Sequence, residues 1–268
     1  MELTNNPVAV FDSGVGSLSI IKELRREIHY EDLLYFADRA HFPYGNKSHA
    51  QLIEIIRNTI VYLNRYKPKL IVVASNTPSV QVLDEVRKAI TEIPIIGVRP
   101  PLKEAVRLTK KKHIGIMATE GTIGSKGLET QIRREVPQHI LVTKFNASPI
   151  IQLVEDGTFI SDRRRTFDVI TRVLGTNLDE KIDVLTLSST HLPFVKSYFD
   201  DLFPTIKFVD PARIVAKDVR KLLAFYRMAK KSGTGRLRVL VSDRKKEFQT
   251  TIHAMGVKVP VEQVFLTF

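Results

Sequence analysis

The feature that most restricts the fold of this chain is an alternation running nearly from end to end. Apolar runs of strand length give way to segments whose apolar residues recur every three or four positions, and then return. Residues 8–11, 33–37, 70–74 and 95–98 form the first set of runs. Each is apolar at consecutive positions, so both faces of such a strand need cover. Between them, Leu18, Ile20, Ile21, Leu24 and Ile28 lie on one side of a helix that Ser17 is placed to cap. Leu52, Ile53, Ile56, Ile60 and Leu63 do the same for a helix over 48–66, and 78–90 reads as a third. Strands apolar on both faces and joined by helices imply a parallel sheet between helical layers.

Pro100 and Pro101 interrupt this pattern, because proline donates no ladder hydrogen bond and fixes a local bend. The pattern then restarts. A helix to 108, a strand 113–118, a turn 119–124 and a helix 125–136 are followed by a strand 140–145, helices 149–154 and 162–174, and a strand 184–187. Asp210 and Pro211 open a helix reaching 229, and Ser232-Gly233-Thr234-Gly235 marks 230–236 as a linker. A strand 237–241, a helix 245–255 and a strand 264–266 complete the series. The expected fold class is α/β with two similar domains, each a mostly parallel sheet flanked by helices. Residues 1–98 plus 211–268 form the first domain, and 99–210 the second.

Composition removes whole classes of chemistry. The 268 residues suffice to bury roughly three quarters of the unfolded chain's surface, so neither disulfides nor a metal is needed for folding. There is no cysteine, which excludes disulfides, thiolate zinc sites, iron–sulfur clusters and thiol mechanisms. No apolar run approaches the roughly 20 residues of a membrane span, and the polar residues 1–6 do not read as a signal peptide; a cytoplasmic protein without membrane contact is expected. The 41 Lys plus Arg exceed the 29 Asp plus Glu, giving a formal charge of +12 that attracts anions without choosing among them. The basic clusters at 110–112, 163–165, 230–231 and 244–246 are short and lack interleaved aromatics, so solvated helix ends are favoured over a nucleic-acid surface.

In parallel α/β sheets, ligands collect at the carboxyl ends of strands, where helix N-termini offer free N–H groups. The turns at those ends are Asp12-Ser13-Gly14-Val15-Gly16, Ser75-Asn76-Thr77, Thr119-Glu120-Gly121-Thr122 and Ser188-Ser189-Thr190-His191. One such turn reads as a helix cap. Four at equivalent ends point to an anion pocket. Gly14 and Gly16 match only two glycines of a dinucleotide fingerprint, the third position being Ser19, and no phosphate-loop Gly-Lys-Ser/Thr occurs. Tyr44 in the loop His41 to Gly45 could donate a hydrogen bond or simply pack, and His191 could be an acid/base or a structural histidine.

Taken together, Phe11 to Gly16, Phe42 to Ser48, Ser75 to Thr77, Thr119 to Thr122, Leu153 to Glu155 and Ser189 to Pro193 resemble, in order and spacing, the glutamate racemases of the aspartate/glutamate racemase superfamily. The resemblance covers nearly the whole chain. It implies an active site in the cleft between two domains, no metal, no cofactor, and commonly a homodimer. It also implies interconversion of L- and D-glutamate, the latter feeding peptidoglycan synthesis. The family's two cysteines, which remove and return the α-proton on opposite faces, fall at Ser75 and Ser189. By the same resemblance Asp12 and His191 are their tuning partners and Glu155 a further acidic helper. Ser13, Pro43, Tyr44, Gly45, Asn76, Thr77, Thr122 and Thr190 hold the amino acid. Pro78 departs from the small residue usual there, although a helix's first turn tolerates proline.

Serine changes the energetics. A thiol ionises near 8.5, whereas a hydroxyl behaving like water ionises near 15.7, and at about 1.36 kcal/mol per unit the alkoxide is roughly 10 kcal/mol harder to reach. The expectation is a chain that binds glutamate or another acidic amino acid and racemises it very slowly or not at all. Three readings stay open. One is a racemase by ancestry with poorly functioning serines, natural or introduced. The second is a non-catalytic homologue that binds an amino acid or a partner protein, such as the DNA-associated gyrase that some family members inhibit. The third is a different reaction with Ser189 as nucleophile and His191 as base, disfavoured because no Gly-x-Ser-x-Gly elbow supports it.

Overall fold

The computed structural model describes residues 3–175 and 178–265. The strands are β1 (Val8–Asp12), β2 (Leu33–Ala37), β3 (Leu70–Val73), β4 (Ile95–Gly97), β5 (His113–Ala118), β6 (Leu141–Asn146), β7 (Val184–Leu187), β8 (Lys207–Val209), β9 (Leu237–Val241) and β10 (Val261–Gln263). They form a six-stranded sheet in the order β10-β9-β2-β1-β3-β4 and a four-stranded sheet in the order β6-β5-β7-β8. Every pairing among the described residues is parallel. The chain leaves the first sheet after β4, builds the second, and returns through the helix Ala212–Phe225, which packs along Leu18–Glu27.

The consecutive apolar residues are used as their pattern demands. In β1, Val8 and Val10 enter an apolar layer that continues through Leu24 and Val219 to Leu185, Leu187 and Phe199, beneath both sheets. Ala9 and Phe11 point the other way, into a layer with Phe36, Leu52, Ile56, Ile60 and Ile71. A third layer, including Ile114, Ile116, Leu128 and Val184, covers the outer face of the second sheet.

Several local expectations are corrected. Ser17 does not cap Leu18–Glu27: its backbone is already helical, in a 3-10 turn Val15–Ser17, and its hydroxyl makes no capping bond. The helix expected over 78–90 starts earlier and is broken in two, Asn76–Gln81 and Leu83–Ala89, at Val82 with φ −130°. Pro78 falls in the first turn, where its missing N–H has no intrahelical partner to lose. Residues 119–124 are not a plain turn, because Thr119 caps a short helix Glu120–Ile123 by accepting from the Thr122 N–H. The helix after Pro211 stops at Phe225, and Arg227 follows in the left-handed region at φ 56°. The last strand is Val261–Gln263 rather than 264–266; Leu266 lies outside the described residues. Among the described residues no helix is long and apolar enough to cross a membrane.

The expected linker is strapped to the sheet. Lys230 donates its backbone N–H to Glu31 Oε1 at 2.7 Å and its ammonium to Asp32 at 2.7 Å. Beside it, the buried Lys69 Nζ donates to Thr4 O (2.8 Å), Glu31 Oε2 (2.5 Å) and Met228 O (2.9 Å), so all three of its donors are satisfied. Removing one partner of a buried pair leaves the other charge uncompensated. Lys69→Ala is therefore expected to cost about 3–5 kcal/mol in urea denaturation. A cost under about 1 kcal/mol would show that this cluster does not hold the linker.

Candidate active site

Both sheets aim the carboxyl ends of their strands at one cavity of about 230 Å³. β1 delivers Asp12 and Ser13, β3 delivers Ser75, Asn76 and Thr77, β5 delivers Thr119, and β7 delivers Ser189, Thr190 and His191. The loop after β2 adds Phe42, Pro43, Tyr44, Gly45 and Asn46, and the helix Ser148–Glu155 adds Ser148, Ile151 and Gln152. Polar contacts stitch the two sides together. Thr77 Oγ1 lies 3.2 Å from Thr119 Oγ1 and 3.1 Å from Thr122 Oγ1, Ser19 Oγ donates to Thr190 O at 2.8 Å, and Gln81 Nε2 donates to Gly121 O at 3.0 Å. The backbone of Ser75 is fixed from below, its carbonyl accepting from the buried Ser79 Oγ at 2.6 Å while Val98 N–H donates to that same hydroxyl.

Each serine has an ionisable neighbour. On one flank, Asp12 is buried, accepts the Ser13 N–H at 2.7 Å and faces the Thr190 hydroxyl at 3.5 Å. Burial pushes its carboxyl up to about 6, against the pull of His191, the Ser13 N–H and the Ser75 hydroxyl. On the other flank, Ser189 Oγ lies 3.5 Å from His191 Nδ1, and His191 Nε2 lies 2.8 Å from Glu155 Oε2. That first distance is at the outer limit of a hydrogen bond and gives the nucleophile reading no tight serine–histidine pair.

Most of the residues expected from sequence meet here, with two differences of place. Glu155 does not line the cavity but stands behind His191, and Thr122 stands behind Thr77 and Thr119. Tyr44 forms part of the wall, yet its hydroxyl turns away and donates to the fully buried Asp38 at 2.9 Å. Burial, with Asp38 beside it, drives the Tyr44 phenol well above its ordinary value, so it stays neutral. Asn76 is the opposite case. It is 5% exposed, it lines the cavity, and neither its amide nitrogen nor its oxygen has a hydrogen-bond partner. Buried polar atoms are rarely left so, and a ligand in the cavity is what these two atoms can bind.

The glycines that half-matched a dinucleotide fingerprint serve close approach. A Cβ on Gly16 would stand 2.4 Å from His191 Nδ1 and 2.5 Å from Thr190 Oγ1; one on Gly14 would stand 2.3 Å from Glu155 Oε2. They let Glu155, Thr190 and His191 sit against the β1 turn.

A profile of the Asp/Glu/Hydantoin racemase family matches residues 22–219. The chain belongs to that racemase family. It is 34% identical over 262 residues to the glutamate racemase of Chlorobaculum tepidum, covering 96% of this chain and 95% of that one. Its fold is similar to the crystal structure of Thermus thermophilus glutamate racemase in complex with beta-chloro-D-alanine, at 30% identity and TM-score 0.86 over 98% of each chain. It is likewise similar to Francisella tularensis glutamate racemase in complex with D-glutamate, at 28% identity and TM-score 0.85 over 98% of each. This is a glutamate-racemase-like protein with the two parallel-sheet domains and cleft of that fold. Sequence reasoning about this racemase-family chain missed Thr119 and Gln152 at the cavity and Asp38 and Arg39 behind it. Thr119 was within reach, since it opens a turn already singled out, and so were Asp38 and Arg39, which directly follow the apolar run 33–37; Gln152 belongs to no local pattern.

Proposed function

We propose that the cleft binds glutamate and that Ser75 and Ser189 occupy the two acid/base positions of a racemase, leaving L/D interconversion very slow or absent. The observation that carries this reading is one of placement. The two serines end strands of different sheets, border one cavity, and each has its own ionisable neighbour, Asp12 or His191. The complex of the Francisella tularensis relative with D-glutamate supports the substrate, and the unpartnered Asn76 amide with Thr77, Thr190 and Ser13 supplies donors for its carboxylates.

In this reading residues 1–98 plus 211–268 and 99–210 are the two domains of a cytoplasmic homodimer. Peptidoglycan synthesis is the process the lineage serves, and the proton is moved without metal or cofactor. The α-proton leaves toward a group on one face and a proton arrives from the other, with the carbanion's carboxylate held by backbone and hydroxyl donors. A serine hydroxyl at either position lacks the roughly 10 kcal/mol of easier ionisation that a thiol has. Calorimetry with L- and D-glutamate should show binding, and NMR in deuterium oxide should show little loss of the α-proton signal. Exchange at an ordinary enzymatic rate would overturn the inactive part of the proposal, and absence of binding would overturn the substrate.

A further inference from the structure

We infer that Arg39 is a positioning residue for His191, acting through Glu155 from the opposite side of the cleft. The inference rests on the reading of His191 as the partner of the Ser189 acid/base position. Glu155 is buried, and both of its oxygens are engaged: Oε2 accepts the Val15 N–H at 3.0 Å and faces His191 Nε2 at 2.8 Å, while Oε1 is paired with Arg39 Nη1. The Arg39 side chain is 9% exposed and its guanidinium lies 4.6 Å from the centre of the Phe42 ring, which fixes its plane. Arg39 comes from the turn after β2 and Glu155 from the helix after β6, so the pair joins the two sheets.

Two consequences follow for His191. A buried carboxylate beside a neutral imidazole has no countercharge, and Arg39 supplies one whatever the protonation of His191. An ionised Glu155 can only accept, so it takes the Nε2–H and leaves Nδ1, in the neutral ring, as the lone pair facing Ser189. Arg39 thereby sets which imidazole nitrogen exchanges protons with the acid/base position. The charged and titratable groups around the ring are Glu155, Asp12 and Arg39 behind Glu155, with the phenol of Tyr35 close to both carboxylates. Burial holds that phenol far above its usual range, and it stays uncharged. The Arg39 Nε has no partner, and the side chain borders a second cavity of about 540 Å³ together with Phe42, Gln152 and Phe248.

The test is the 15N titration of the His191 ring in folded Arg39→Met and Glu155→Gln variants of the unsubstituted chain, which needs no turnover. Removing Arg39 makes the surroundings more negative, so the Arg39→Met midpoint moves to higher pH. Removing the Glu155 charge moves the Glu155→Gln midpoint to lower pH. Arg39→Lys, which keeps the charge, returns the midpoint toward that of the unsubstituted chain. Guanidinium ion at sub-denaturing concentration, entering through the second cavity, does the same for Arg39→Met where sodium chloride of equal ionic strength does not. In a Ser75→Cys, Ser189→Cys background, Arg39→Met lowers α-proton exchange on the order of 100-fold with little change in glutamate affinity, as expected for a misoriented base. Midpoints that move together in the two variants, or in neither, overturn the inference. If the cysteine background fails to exchange glutamate, the functional reading fails while the titration still decides the role of Arg39.

Discussion

Ser75→Cys, Ser189→Cys is expected to raise α-proton exchange of glutamate by 10³-fold or more over the unsubstituted chain, measured by NMR in deuterium oxide. The roughly 10 kcal/mol between alkoxide and thiolate is an upper bound on the gain, because the stronger base recovers part of it during proton transfer. A thousandfold gain uses only about 4 kcal/mol of it. The surroundings already suit thiols. Ser75 lies beside Asp12, whose carboxyl near 6 can take or give a proton at neutral pH, and Ser189 lies beside a histidine backed by Glu155. The single variants separate the two faces. Because the serines approach the cavity from different sheets, Ser75→Cys alone and Ser189→Cys alone should each exchange the α-proton of one glutamate enantiomer only, and of opposite ones. If both single variants act on the same enantiomer, the two positions do not flank the α-carbon. If the double variant binds glutamate and gains nothing, the missing thiols are not what limits this site.

The architecture was legible because its cause is local. Val8 to Phe11 alternate between two apolar layers, and a run that is apolar at every position states this without any knowledge of its partners. The edge strand β8 was missed for the same reason: of Lys207, Phe208 and Val209 only Val209 is buried, and pairing with β7 rather than local pattern makes it a strand. At the site, the small polar turns after β1, β3 and β7 could be read because their position after apolar runs is itself a local signal. The pairs that form behind them could not. Arg39 and Glu155 are 116 residues apart, and Val15 and Glu155 are 140 apart. Gly16 carries no special backbone requirement that a motif would advertise; it is glycine because His191 and Thr190 arrive from the other sheet to within 2.6 Å of where its Cβ would be. Ser17 failed as a cap because the chain was already helical there, turned early so that Val15 could reach Glu155.

Asp12→Asn is expected to stabilise the protein by about 3 kcal/mol near pH 8, with the effect shrinking toward zero near pH 4. The sign follows from the direction of the shift. Asp12 ionises at about 6 when folded and at 3.8 when unfolded, so between those values the native state binds more protons, and stability falls as pH rises through the interval. Above pH 6 the fold must hold a buried carboxylate that water would solvate better, a difference of some two units at about 1.36 kcal/mol each. Well below pH 3.8 the group is protonated in both states and the penalty disappears. This runs against the usual acid denaturation of salt-bridged carboxylates, and under the proposed function it makes Asp12 a group that serves the Ser75 position at a cost to stability. Asparagine keeps an oxygen for the Ser13 N–H and carries no charge to bury. Urea denaturation of both chains between pH 4 and pH 8 checks the prediction; two parallel stability curves, or a loss of stability in Asp12→Asn at pH 8, would refute it. In the double-cysteine background the same substitution should abolish exchange at the Ser75 position while leaving the fold more stable, since in the proposed function the charge that strains the native state is the one that tunes that acid/base group.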